Sequence, residues 1–219
     1  MKTPILYSFK RCPYAMRARM AIKLANIRCE IREIKLNNKP GHMLEVSPKG
    51  TVPVLVLENR IIDESNEIIE WVLDKVNVFG ENLNQYEINL SEQIIEIFDG
   101  KFKFHLDRYK YANRYDGLGN EDHRGECMKI LDELNSIISN KKWILGKNIN
   151  KLDISILPFI RQFRIADSKW FDNQTSIPNI IRILNNFLES KLHRETMINY
   201  KEWEEGSKPV YFPIFNSLD

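Results

Sequence analysis

The residue of this chain best placed for chemistry is Cys12, in the stretch Ser8-Phe9-Lys10-Arg11-Cys12-Pro13-Tyr14-Ala15. An apolar run from Ile5 to Phe9 leads into it and a periodic segment from Met16 to Asn26 follows, so the stretch reads as strand, loop and helix. Cys12 then falls at the N-cap and Pro13 at N1, where proline's missing N–H has no helical partner to lose and its φ is already helical. A helix N-terminus carries about half a positive elementary charge and favours a thiolate over a thiol. An ordinary thiol ionises near pH ~8.5, and each unit of depression is worth about 1.4 kcal/mol. Lys10, Arg11 and Arg17 act in the same direction. The alternative is a small buried hydrophobe, the common state of a free cysteine. Ala15 stands where a Cys-x-x-Cys motif would carry its second sulfur, so an external thiol would have to close any redox cycle at Cys12.

The other residues with reactive side chains offer less. Cys29 and Cys127 complete an odd, widely spaced set of three cysteines, which is not a disulfide framework and fits a reducing cytoplasm. Cys29 is expected to be plain core. His42, His105, His123 and His193 form no HxxxH pair and have no cysteine neighbours at ligand spacing, so no metal is expected.

The 219 residues, 43% of them hydrophobic, can bury one large core or two small ones. The sequence shows neither the long uncharged run of a membrane span nor a signal peptide, so a soluble, intracellular, cytoplasmic protein without a membrane partner is expected. The net charge of +2 is unevenly spread. Residues 1–80 hold 13 Lys and Arg against 9 Asp and Glu, and the remainder 19 against 21. A mildly basic first part suits a small anionic ligand near Cys12, whereas nucleic-acid binding would call for a denser basic patch.

The elements that must position Cys12 alternate in type. Strands are expected at Ile5 to Phe9 and Cys29 to Ile34, a helix at Pro13 to Leu24, and a short helix near His42 to Val46 after the Pro40-Gly41 break. Val52 to Leu57 and Arg60 to Ile62 form a hairpin, and a helix runs from Ser65 to Val76. The order β-α-β-α-β-β-α defines a split α/β sheet. Pro53 belongs at the start or edge of its strand, and a cis Val52–Pro53 bond is one way to seat it. Such a bond would leave the Val52 backbone facing outward to pair with an extended, peptide-like ligand.

Beyond Gln85 no convincing strand is legible, and the domain boundary falls between Val78 and Gln85. Helical periods run through Ser91 to Arg114, Glu121 to Ser139, Asp153 to Ala166, Ile177 to Leu188 and Glu195 to Trp203, which implies an all-helical bundle. Within it, Asn150 is expected to cap a helix with Asp153 at N3 and with Ile149 and Ile154 as a hydrophobic staple. Loss of Asp153 is expected to cost about 1 kcal/mol.

Taken in order, three elements resemble the cytosolic glutathione transferases, and among them the cysteine-type, omega-like members. They are the Cys12-Pro13-Tyr14-Ala15 stretch, Gly50-Thr51-Val52-Pro53-Val54-Leu55, and Asp63-Glu64-Ser65-Asn66 opening a helix. Gly146 with the Asn150 to Asp153 cap is similar to the capping box of that family's helical domain. Leu106 to Tyr111 and Pro158 to Phe163 are similar to bacterial members of poorly defined activity.

The resemblance implies a thioredoxin-like, glutathione-binding domain over 1–79 and an all-helical substrate domain over 85–219, with a homodimer as the assembly. It implies that Cys12 is catalytic and that Glu64 and Ser65 hold the γ-glutamyl end of glutathione. It also implies that Val52, with Pro53, pairs with the cysteinyl part, and that Lys39 contacts the tripeptide. A hydroxyl at a helix start makes physical sense as an anion site, while a simple N-cap remains the alternative for Glu64 and Ser65. Cysteine in place of the Tyr or Ser of other classes suits thiol–disulfide exchange better than conjugation. The implied activity is therefore a glutathione-dependent thiol transferase or reductase, with glutathione as co-substrate and a small molecule or disulfide as acceptor. Conjugation or isomerisation of an electrophile, and a non-catalytic regulatory protein, stay open. Tyr14, Tyr109, Tyr111, Tyr115, Trp170 and Phe171 are candidates for an acceptor pocket, with core or interface packing as the alternative.

Overall fold

The computed structural model of the chain describes residues 2–79, 83–115, 122–138 and 140–214. Part of the expected boundary stretch, and Glu121 and Ser139 at the ends of one expected helix, lie outside the described residues. The chain divides into two compact units, Met1–Val78 with Ser190–Asp219, and Phe79–Glu189.

The first unit runs β1 (Ile5–Ser8), α1 (Pro13–Leu24), β2 (Cys29–Glu33), α2 (Gly41–Val46), β3 (Val54–Val56), β4 (Ile61–Ile62) and α3 (Ser65–Leu73), the order that the sequence pattern predicts. β1 is parallel to β2, as a helical crossover requires, and antiparallel to β3, with Leu6 opposite Ile31 on one side and Leu55 on the other. Central Leu6 and Tyr7 are fully buried although they point to opposite faces. Tyr7 joins Ala15, Ile34, Met43, Val52 and Val54 in one cluster, against whose edge Cys12 packs. Pro53 sits just before β3 rather than in the ladder, and the Val52–Pro53 peptide is cis.

α1 is buried on every side from Ala15 to Ile22, including Arg17 and Arg19. The amphipathic reading, with Met16, Met20, Ile22 and Leu24 inward, therefore understates it. α1 packs on α3 and also on α10 (Lys191–Thr196), an element that returns from the far end of the chain.

That return corrects the expected domain limits. The helix predicted over Glu195 to Trp203 is only Lys191–Thr196, started by Ser190, whose hydroxyl accepts from the His193 N–H at 3.0 Å. Residues 197–210 then lead to a fifth strand, β5 (Tyr211–Phe212), antiparallel to β2. The sheet order is β4-β3-β1-β2-β5. Thus the region after Gln85 contains a strand, and residues from Ser190 onward belong with the first unit rather than the helical one. Two strand residues between Pro209 and Pro213 are too few to carry a period.

The regular structure of the second unit is helical throughout its described residues: α4 (Gln85–Ile97), α5 (Lys103–Lys110), α6 (His123–Ile137), α7 (Lys151–Ala166), α8 (Ser168–Asp172) and α9 (Pro178–Glu189), with loops such as 140–150 between them. The single helix expected over Ser91 to Arg114 is broken by a π-helical turn at Phe98–Phe102 and ends in a 3-10 turn at Ala112–Arg114. Gly100 stands in the middle of the π turn, where helical preference is weakest. Phe98 and Phe102 are fully buried with ring centroids 4.4 Å apart, and Phe102 meets Phe163 edge-on. α7 starts with the predicted box: Asn150 Oδ1 accepts from the Leu152 and Asp153 N–H groups, and Asp153 Oδ2 accepts from the Asn150 N–H at 2.9 Å. α4 has a second box, Asn84 with Glu87, which the sequence reading missed.

Candidate functional site

Cys12 is the N-cap of α1, with extended φ and ψ of −77° and 124°, and Pro13 follows at the helix start. The Cys12 N–H donates to the Phe9 carbonyl at 2.9 Å and the Cys12 carbonyl accepts from the Met16 N–H at 3.0 Å, so a tight turn feeds directly into the helix. The side chain is half-buried, and its thiol donates to the Val52 carbonyl at 3.5 Å. Cys29 and Cys127 are fully buried. Burial pushes both thiols up to about 12, so they stay protonated and inert at neutral pH.

The residues expected to hold a ligand all belong to the first unit. Val52 is buried and carries the carbonyl that meets the Cys12 sulfur. Glu64 is the exposed N-cap of α3 and pairs with Lys49. Ser65, at the first position of α3, is buried and accepts from Arg17 at 3.3 Å, and Arg17 also donates to Asn66 Oδ1. A buried arginine on α1 thus orients the hydroxyl at the start of α3, a link absent from the sequence reading. Its signal was present: two arginines, Arg17 and Arg19, in the otherwise apolar stretch from Ala15 to Ile22 must find partners when buried. Lys39 is exposed, with its ammonium 3.4 Å from where a Cβ on Gly50 would stand. Gly50 has a φ of +62°, a backbone conformation that favours glycine.

The aromatic candidates divide. Tyr14 is half-buried in the first unit beneath the Arg17 guanidinium, 5.3 Å from its ring centre. In the second unit, Tyr109 and Trp170 both pack on Phe163, and the Arg124 guanidinium lies 4.5 Å from the Trp170 ring centre and 6.0 Å from that of Tyr109. Tyr111 stacks under Arg114 and Tyr115 under Arg108. Phe171 is core. His105 and His123 approach through their Nδ1 atoms at 2.9 Å. Among the described residues no group of three or more His, Cys, Asp or Glu could hold a metal ion.

A split, thioredoxin-like sheet with a helical unit defines a glutathione transferase fold. The family model for the N-terminal domain of glutathione S-transferases matches residues 6–80. Glutathione S-transferase omega-1 of Rattus norvegicus is 30% identical over 171 residues, 74% of this chain and 68% of the rat protein. Among solved structures, glutathione transferase Omega 3C of Trametes versicolor superposes with a TM-score of 0.75 at 16% identity, covering 92% of each chain. A glutathione transferase family member from Pseudomonas fluorescens, solved with two glutathione bound, superposes with a TM-score of 0.73 at 18% identity over 89% of this chain and 92% of its own. The chain belongs to the glutathione S-transferase family.

Proposed function

We propose that this chain is a cysteine-type, omega-like glutathione-dependent thiol transferase. The observation that carries the reading is the half-exposed Cys12 thiol at the N-cap of α1, 3.5 Å from the Val52 carbonyl. In the first step the Cys12 thiolate attacks the glutathione sulfur of a mixed disulfide: the Cys12–S bond to glutathione forms, the old S–S bond breaks, and the acceptor leaves as its thiolate. A second glutathione thiolate then attacks that adduct, forming oxidised glutathione and returning Cys12 as thiolate, so one free glutathione is consumed for each mixed disulfide reduced. The external thiol is required because Ala15 supplies no second sulfur.

Glutathione would lie extended along the start of β3, with Val52, set before Pro53, pairing with its cysteinyl amide. Ser65, presented by Arg17 and by the free N–H groups of α3, would take the γ-glutamyl carboxylate, and Glu64 its ammonium. Lys39 would meet the glycyl carboxylate. Two bound glutathiones in the structurally similar Pseudomonas fluorescens protein support the ligand. The second unit, with Tyr109 and Trp170 flanking Arg124, would receive the acceptor. A homodimer working in a reducing cytoplasm completes the reading.

Intact-mass spectrometry after incubation with oxidised glutathione tests it. One glutathione adduct on Cys12 is expected, together with turnover of hydroxyethyl disulfide that is lost in Cys12→Ala. Turnover of a chloronitroaromatic electrophile with no disulfide activity would reject thiol transfer in favour of conjugation.

A further inference from the structure

The turn that carries Cys12 is held from one side by a group with no counterpart in the mechanism above. Glu33, at the end of β2, accepts the Lys10 backbone N–H at 2.6 Å, and the same carboxylate pairs with Arg19 of α1. Arg19 is fully buried and the Glu33 side chain nearly so. Arg19 also donates to Ser8 Oγ at 2.8 Å and to the Thr196 carbonyl at 3.2 Å. The Lys10 ammonium reaches Asn199, and the Glu33 carbonyl accepts from the Trp203 N–H at 2.8 Å.

Charged and titratable groups face Glu33 from three elements among the described residues. Arg19 faces it from α1, Lys10 from the turn, Arg32 neighbours it on β2, and Tyr200 and Glu202 approach from the C-terminal stretch. Burial pushes the Tyr200 phenol up to about 12, so it stays neutral. Glu202 and Arg32 have partners of their own in Lys35 and Glu30. Glu33 and Arg19 therefore balance one another inside the fold.

A buried ion pair is poor evidence of stabilisation, since its desolvation offsets most of its attraction. What this one does is specific: it lets a carboxylate grip a backbone N–H two residues ahead of Cys12 without leaving net negative charge beside a thiolate. We infer that Glu33 is a positioning residue for Cys12: neutralised by Arg19, it holds the Phe9 to Cys12 turn so that the thiol stays against the N-terminus of α1. The inference rests on Cys12 being the reacting thiol.

Two variants of matched volume isolate the grip. Glu33→Gln and Glu33→Met both remove the carboxylate and both leave Arg19 uncompensated, but only Gln keeps an acceptor for the Lys10 N–H. The readout is the pH profile of Cys12 alkylation by iodoacetamide. At mildly acidic pH, E33M is expected to react about tenfold more slowly than E33Q, with its profile displaced to higher pH. Equal profiles beside a thiolate-like wild-type profile would overturn the grip while leaving thiol transfer intact. A wild-type profile no different from that of free cysteine would instead overturn the redox reading, and the grip with it. Should the variants fail to fold, amide exchange in the unaltered protein decides: the Lys10 N–H is expected to be protected, and exchange at the rate of an unstructured amide would refute the inference.

Discussion

At the scale of single residues, the three cysteines form an internal comparison. All are free thiols in one chain, yet Cys29 and Cys127 are enclosed and held protonated by burial, and Cys12 is half-exposed at a helix start. Iodoacetamide at neutral pH should add one group to the native protein, at Cys12, and three after denaturation. Mass spectrometry checks the count, and a second native adduct would contradict the burial of the other two. The enclosed thiols also set an alkaline limit on stability. Each titrates at about 12 in the folded chain against about 8.5 unfolded, so its contribution is complete below the unfolded value and is lost as pH rises towards the folded one. Between those limits unfolding free energy should fall by up to about 1.4 kcal/mol per pH unit for each thiol. Cys29→Ala should flatten the slope measured by urea titration across that range, and an unchanged slope would remove Cys29 as a cause. Cys12 was legible because Pro13 and the flanking strand and helix mark its position. The contacts of Arg17 and Glu33 were not, because they depend on which residues meet across 48 and 23 positions of sequence.

At the scale of elements, legibility followed length and caps. α1 was read to the residue, since Pro13 starts it, and α7 was read from its Asn150 cap. The π turn at Phe98–Phe102 was not, because a one-residue change of helical register leaves the apolar spacing nearly as it was. The α7 cap also does more than its motif implies. Asp153 is fully buried, and besides closing the box its Oδ1 accepts from the Ile144 N–H at 3.0 Å, tying the preceding loop to the helix. Asp153→Ala should therefore cost more than the about 1 kcal/mol of a lost cap, because a buried N–H left without its acceptor adds about 1–3 kcal/mol. Urea unfolding reads the difference. A loss of only about 1 kcal/mol would mean that the loop finds another acceptor.

At the scale of the whole molecule, the order of elements and the presence of two units were legible, whereas the path of the last thirty or so residues was not. That path matters for the first unit. α10 covers α1, the Thr196 carbonyl accepts from Arg19, Trp203 meets Tyr7 edge-on, and Phe212 pairs opposite Cys29 on the sheet edge. The Cys29 thiol itself donates to the Phe212 carbonyl at 3.4 Å. A chain ending at Glu189 would keep every helix of the second unit but strip one flank of the first. Each unit carries its own enclosed thiol, Cys29 in the first and Cys127 in the second, so local opening can be read separately in each. In the shortened chain Cys29 should become open to iodoacetamide while Cys127, on α6, stays protected. Peptide mapping of the labelled sites distinguishes the outcomes: protection of both would mean that the sheet closes without β5, and exposure of both would mean that the two units do not unfold separately.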